Sequence, residues 1–159
     1  MIELSNTLPL AVIFDLDEVI FNSTCLIPHI PKDKNSRAGW TEFEKHYKEV
    51  TPNSWAVQLA EFYRSTGHTL LFVTSREDMN SCKSDTIDSL SIALNNDLSN
   101  AYLFMRQPDD FRPSAEVKRD IYLNEIQGVF NVMLAVDDDE NNAKMWHSFG
   151  INSLHKLVD

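Results

Sequence analysis

Apolar residues in this chain gather into short unbroken runs, and each run ends in polar chemistry. Leu10-Ala11-Val12-Ile13-Phe14 leads into Asp15-Leu16-Asp17. Leu70-Leu71-Phe72-Val73 leads into Thr74-Ser75-Arg76, and Val132 to Val136 leads into Asp137-Asp138-Asp139. Runs of this length without polar alternation predict strands buried on both faces. Between them lie amphipathic stretches. Ser54 is read as the cap of a helix to about Ser65, with Trp55, Leu59, Phe62 and Tyr63 near helical spacing and Gly67 as its stop. A second helix is predicted over Ser84 to Asn95, followed by a short strand at Tyr102 to Met105 and a loop from Arg106 to Pro113. Helices from Ser114 to about Ile126 and from Glu140 to Phe149 follow, with a last strand at Ile151 to Leu154.

Residues 22 to 53 break the rhythm. They contain Pro28, Pro31, Gly39 and Pro52 and are too long for a simple loop, so they read as a small cap-like insert with a helix over Trp40 to Glu49. The remaining alternation of strands and helices predicts one α/β domain over 1–159. Its mostly parallel central sheet is covered by helices on both faces, a three-layer Rossmann-like arrangement with the insert after the first strand. Such sheets keep their chemistry at the carboxyl ends of the strands.

Composition narrows the picture. With 43% hydrophobic and 24% charged residues among 159, the chain has the balance of a globular domain. No apolar run approaches the roughly 18 to 20 residues of a membrane span, and the N-terminus lacks a signal-peptide pattern, so a cytoplasmic location is expected. Cys25 and Cys82 lack metal-type spacing and read as free thiols. A formal charge of -10 argues against an extended nucleic-acid surface, because such surfaces neutralise phosphates with lysine and arginine. It leaves room for one phosphate-bearing ligand at a local site, and clustered carboxylates suit a divalent cation.

The strand ends suggest a reaction. An aspartate can attack a phosphate monoester and form an acyl-phosphate, but a cation must offset the repulsion between carboxylate and dianion. Asp15 and Asp137 are candidate oxygen ligands for Mg²⁺. Asp17, two residues beyond Asp15, is placed to act as general acid and then general base. Thr74 can donate a hydroxyl to a phosphoryl oxygen, Lys118 can add a compact charge, and Arg76 offers a planar donor fork. The basic residues Lys32, Lys34, Arg37, Lys45 and Lys48 of the insert read as soluble surface. Trp40, His46, Trp55, Met145 and Trp146 read as packing residues, and His29 and His46 show no metal partners in the sequence.

The segment Ile13-Phe14-Asp15-Leu16-Asp17-Glu18-Val19 resembles the first motif of the haloacid dehalogenase (HAD) superfamily. Thr74, Lys118 and Asp137-Asp138 resemble its second, third and fourth motifs, in family order. Within the superfamily the chain resembles the phosphatase domains of bacteriophage polynucleotide kinase-phosphatases. That similarity rests on Phe72 to Glu77, on Arg106-Gln107 through Val117 to Tyr122, and on Leu134 to Asp138 through Met145-Trp146 and Gly150. The resemblance implies a HAD fold and a Mg²⁺-dependent phosphomonoesterase acting on a 3'-phosphate end or on a nucleotide. It implies Asp15, Asp17, Thr74 and Lys118 as catalytic residues, and Thr74, Ser75, Arg76 and Lys118 as substrate contacts. Asp15, Asp17 and Asp137 are the implied metal residues, with Asp138 supporting the metal's surroundings.

Four positions depart from the pattern. Glu18 stands where many family phosphatases have glycine, and an arginine expected within the next ten residues is missing. Ser114 replaces an aspartate before the motif lysine, and Asp139 replaces an arginine, reading instead as a helix N-terminal charge. The sequence also fits a noncatalytic phosphate- or partner-binding module, or a phosphatase of another small metabolite.

Overall fold

The computed structural model describes residues 8–157, so the expected domain bounds at 1 and 159 lie outside the described residues. The strands are β1 (Leu10–Phe14), β2 (Phe21–Asn22), β3 (Thr51–Pro52), β4 (Thr69–Glu77), β5 (Ala101–Arg106), β6 (Asn131–Asp137) and β7 (Asn152–His155). The helices are α1 (Arg37–Glu44), α2 (Ser54–Ser65), α3 (Cys82–Ala93), α4 (Ser114–Ile121) and α5 (Glu140–Ser148), with 3-10 turns at Thr24–His29 and Tyr47–Glu49. Five strands form one parallel sheet in the order β5-β4-β1-β6-β7. The apolar β1 is therefore central, and its flanking strands β4 and β6 bring Thr74 and Asp137 to either side of Asp15.

Residues 11 to 14 of β1 are fully buried, and alternation along the strand divides them between two cores. Val12 and Phe14 pack with Phe72, Ala56 and Ala60 of α2 and Leu90 of α3. Ala11 and Ile13 pack on the opposite face with Val117 and Ile121 of α4 and Trp146 of α5. This is the predicted three-layer order. Burying each large apolar side chain contributes about 1.5–3 kcal/mol relative to leaving it in water, so both faces fix the strand that carries Asp15.

Several boundaries differ from expectation. The predicted helix over Trp40 to Glu49 is instead α1, started by Ser36, whose Oγ accepts from Gly39 N at 3.1 Å, and followed by a separate turn at Tyr47–Glu49. Asn53, not Ser54, occupies the cap position of α2, and its Nδ2 donates to Val19 O at 2.9 Å. That bond ties the start of the helix to the loop after β1. Gly67, at φ +87°, ends α2 by donating to Arg64 O at 3.0 Å. The helix read to Ile126 is α4 continued by one π turn, Tyr122–Ile126. β4 runs four residues past Val73, with a register slip against β5 between Thr74 and Glu77. Such an irregularity re-aims side chains, here Ser75 and Arg76, at the end of a sheet.

The insert leaves the sheet through β2 and returns through β3, which pair antiparallel and close its neck. Among the described residues no helix is long and apolar enough to cross a membrane. Cys25 and Cys82 are both free.

Candidate active site

Asp15 follows directly on β1 and continues the ladder by donating its N–H to Val136 O at 2.9 Å. Its side chain points into the seam between β1 and β6, where Lys118 of α4 reaches between two carboxylates. Lys118 Nζ lies 2.9 Å from Asp15 Oδ2 and 2.8 Å from Asp137 Oδ2. Lys118 is 1% exposed and Asp15 8%. Burial alone would lower the lysine, but the attraction of Asp15 and Asp137 outweighs it and holds the ammonium protonated well above its ordinary range. Asp15 shifts the other way for a carboxylate. Burial raises it, Lys118 lowers it, the charges of Asp137 and Asp138 raise it again, and the net direction is well upward. Asp138 is also raised, by burial first and then by Asp137.

Asp137 is held from several sides. Its Oδ1 accepts from Asn142 Nδ2 at 2.9 Å and from Asp139 N at 3.2 Å, and its Oδ2 accepts from Trp146 Nε1 at 3.3 Å. Asp139 caps α5, its Oδ1 accepting from Asn141 N at 2.7 Å, as its reading as an N-terminal charge implied. One oxygen each from Asp15, Asp137 and Asp138 lie within 4.8 Å of one another. Three carboxylates meet a single ammonium there, an excess of negative charge on hard oxygen donors. That donor set fits a Mg²⁺-like ion, which takes a few carboxylates and keeps waters.

Asp17 turns the opposite way, and its carboxylate is not part of that cluster. Arg76 grips it with both arms, Nε to Oδ2 at 3.0 Å and an Nη to Oδ1 at 2.6 Å. The guanidinium is buried, donates also to Thr86 Oγ1 at 3.3 Å, and lies 4.2 Å from the centre of the Tyr47 ring. The Asp17 side chain remains 36% exposed, at the mouth of a cleft of about 310 Å³. The cleft is lined by Ser75 and Arg76, by Trp40, Phe43 and Tyr47 of the insert, and by Arg106, Phe111 and Arg112. Thr74 is buried at the end of β4, where its Oγ1 accepts from Arg76 N at 3.2 Å. Ser75 Oγ shares a hydrogen bond of 2.5 Å with Ser114 Oγ.

The departures from the family pattern have local accounts. Glu18 adopts φ +59°, a left-handed backbone that explains glycine at this place in relatives. Its Oε1 accepts from Ser23 N at 2.9 Å and from Ser23 Oγ at 3.0 Å, and Lys156 Nζ donates to its carbonyl at 2.7 Å. Ser114 joins the network through Ser75 and through Asn142 Nδ2 at 3.1 Å. The arginines around the cleft are already engaged. Arg37 grips Glu77 at 2.6 and 2.8 Å and pairs with Asp109, and Arg112 pairs with Asp110 and Asp120. Arg106 donates to the carbonyls of Ser75, Asp110 and Arg112.

Tyr47 and Lys156 escaped the sequence reading because their contacts join elements far apart in the chain, and Asn142 because its amide reaches back five residues to Asp137 only once β6 turns into α5. Trp146, read as packing, is packed and also bonded to Asp137. Arg37, read as surface, turns inward to Glu77.

A parallel sheet whose neighbouring strand ends carry Asp-x-Asp, a threonine and an acidic pair, with a lysine spanning the two acidic ends, defines the HAD class of α/β domains. Within that class the chain belongs to the family described as the polynucleotide kinase PNKP phosphatase domain, whose profile matches residues 9–156. No curated protein sequence matches the chain. A chain in the structure of the Pnkp1/Rnl/Hen1 RNA repair complex is similar at 22% identity with a TM-score of 0.73, covering 96% of this chain and 43% of its own length. A haloacid dehalogenase-like hydrolase from Streptococcus pneumoniae is similar at 12% identity and a TM-score of 0.61, over 93% of this chain and 84% of its own. A phospho-aspartyl intermediate analogue of phosphoserine phosphatase gives 16% identity and a TM-score of 0.53, over 89% and 83%. The chain thus spans less than half of the repair-complex protein it matches.

Proposed function

We propose that this chain is a Mg²⁺-dependent phosphomonoesterase that forms an aspartyl-phosphate on Asp15 and acts on 3'-phosphate ends of nucleic acid or on nucleotides. The observation that carries the reading is the opposed setting of two carboxylates on one strand end. Asp15 sits dry against Lys118, and Asp17 is tethered at the edge of an open cleft.

In this reading an Asp15 oxygen attacks phosphorus, and the leaving oxygen departs with the bonding pair and takes a proton from Asp17. Asp17 then removes a proton from water, which attacks the aspartyl-phosphate and releases inorganic phosphate with the Asp15 carboxylate restored. The Arg76 fork orients the Asp17 carboxyl for both proton transfers. Lys118 and the Thr74 hydroxyl supply donors for the phosphoryl oxygens. Asp15, Asp137 and Asp138 would hold the divalent cation, whose charge offsets the repulsion between carboxylate and phosphate.

The engaged state of Arg37, Arg76 and Arg112 favours a second reading of substrate size. With their charges spent on carboxylates, the cleft suits a mononucleotide or another compact phosphate ester. Phosphate release is to be measured, with and without Mg²⁺, from 3'- and 5'-phosphorylated oligonucleotides, the matching mononucleotides and nitrophenyl phosphate, with Asp15→Asn as control. Mg²⁺-dependent release selective for 3' ends supports end repair. Release from mononucleotides alone moves the substrate to nucleotide metabolism, and silence across the panel from a folded chain leaves a phosphate-binding module.

A further inference from the structure

The insert holds a second group of metal-ligating side chains for which the phosphatase reading has no use. His29 closes the 3-10 turn Thr24–His29, His46 lies between α1 and the next turn, and Glu49 ends that turn. The two imidazole rings stack with centroids 3.4 Å apart and planes inclined by 14°. His46 Nδ1 lies 2.6 Å from Glu49 Oε1, and one ligand atom from each of the three residues lies within 4.8 Å of the others. Glu42, paired with Lys45, adds a further negative charge beside the same two rings.

The stack brings the ring nitrogens of two imidazoles, regular zinc donors, to one place beside a carboxylate. Zinc binds histidine nitrogen at 2.0–2.1 Å, so a tetrahedral site sets two such nitrogens about 3.4 Å apart, and one ligand atom from each of the three residues already lies within 4.8 Å of the others. Both rings are only half-buried, and holding one ion requires them to leave the stack so that their lone pairs converge. A carboxylate oxygen is a regular third zinc ligand, and water completes the four. Mg²⁺, which prefers an all-oxygen shell, suits the three aspartates at the strand ends instead, so ligand softness sorts two cations between two places.

We propose that His29, His46 and Glu49 bind one zinc-class divalent ion that staples the insert. The ion joins the ends of both 3-10 turns across the whole of α1. His46 directly precedes Tyr47, whose ring packs on Arg76, and Arg76 grips Asp17. Stapling this segment fixes the wall of the cleft from behind, at a place that touches no reacting group.

Calorimetric titration of the chelator-stripped full chain with zinc chloride, in excess Mg²⁺, tests the assignment. The expected result is one tight site per chain, an affinity loss of about 100-fold or more in His29→Ala and in His46→Ala, a smaller loss in Glu49→Gln, and no loss in Asp15→Asn. Slower deuterium exchange across residues 24–49 of the zinc-loaded chain belongs to the same expectation. Zinc binding that survives both histidine changes but disappears in Asp15→Asn overturns the proposal, as does a folded wild-type chain that binds no zinc. X-ray absorption of the zinc-loaded wild type needs no variant. Two imidazoles in the shell support the site, and an all-oxygen shell rejects it.

Discussion

Asp15 and Asp17 leave the same strand end two residues apart, yet they are held on opposite terms. Asp15 is sealed between β1 and β6, shares Lys118 with Asp137 and is pushed toward its protonated form by burial. Asp17 faces the cleft and is gripped by a guanidinium that orients it. The difference teaches how one Asp-x-Asp can serve two roles. The dry carboxylate depends on cations for its charge, and the wet one depends on an arginine for its direction.

The largest effect that can break this contrast comes from Asp15→Asn. In the covalent reading turnover falls by roughly 10⁴-fold or more, because the amide cannot serve as the nucleophile. Near-normal phosphate release would remove that mechanism. The same variant tests the electrostatics. A raised carboxyl binds its proton more tightly folded than unfolded, so its contribution is most favourable at low pH. Stability is then lost as pH climbs from the unfolded value near 3.8 toward the raised folded one. Cation-free wild type therefore loses more melting temperature between pH 4 and 7 than Asp15→Asn does, and Mg²⁺ restores more to the wild type. Parallel pH profiles for the two proteins would contradict the account.

Lys118→Met comes next. The methionine keeps most of the stem volume but leaves buried carboxylates unpaired, a situation that costs about 3–5 kcal/mol. A large fall in the urea midpoint is expected, partly recovered by Mg²⁺. An unchanged midpoint would mean that Lys118 is not the counter-charge of the seam.

The two halves of this contrast were unequally legible in the sequence. β1 and β4 announce themselves because strands buried on both faces must be apolar throughout, β6 by an apolar run of which only the carboxyl half is buried, and their ends bring Asp15, Thr74 and Asp137 together in the parallel order. Lys118 could be named from the family pattern, but not its bridge between two aspartates, which depends on how α4 crosses the sheet. The pairing of Arg76 with Asp17 spans 59 positions and depends on the slip in β4, which no periodicity records. The insert was least readable. Its helix was placed three residues late because the cap Ser36 precedes the apolar positions, and its histidines, 17 apart, meet only when both turns fold back.

Asp17→Asn sharpens the other side of the contrast. Loss of a general acid and base slows turnover by about 10²–10⁴-fold, most for alcohol esters and least for nitrophenyl phosphate, whose leaving group needs no proton. Arg76→Lys moves the same way but less, because an ammonium keeps the charge and loses the fork. Equal losses on both esters would deny Asp17 its acid role.

Glu18 gives the smallest effect and the finest test of how the loop between the two aspartates and the insert is held. The left-handed backbone costs a non-glycine residue about 1–2 kcal/mol. Two hydrogen bonds from Ser23 to the carboxylate return about 0.5–1.5 kcal/mol each. Glu18→Gly removes both the strain and the bonds and adds backbone freedom to the unfolded chain, so its stability should stay within about 1 kcal/mol of wild type. Glu18→Ala keeps the strain and loses the bonds, and so should be the least stable of the three, by about 2 kcal/mol. Lys156 donates to the Glu18 backbone carbonyl, a contact that both variants retain, and its 3.5 Å approach to Glu18 Oε2 is lost equally in both, so the order of alanine and glycine is unaffected. Urea midpoints placing alanine level with glycine would mean that the Ser23 anchor does not hold this turn. The expected order would mean that a glutamate replaces the family's glycine by bonding its own side chain back across the loop.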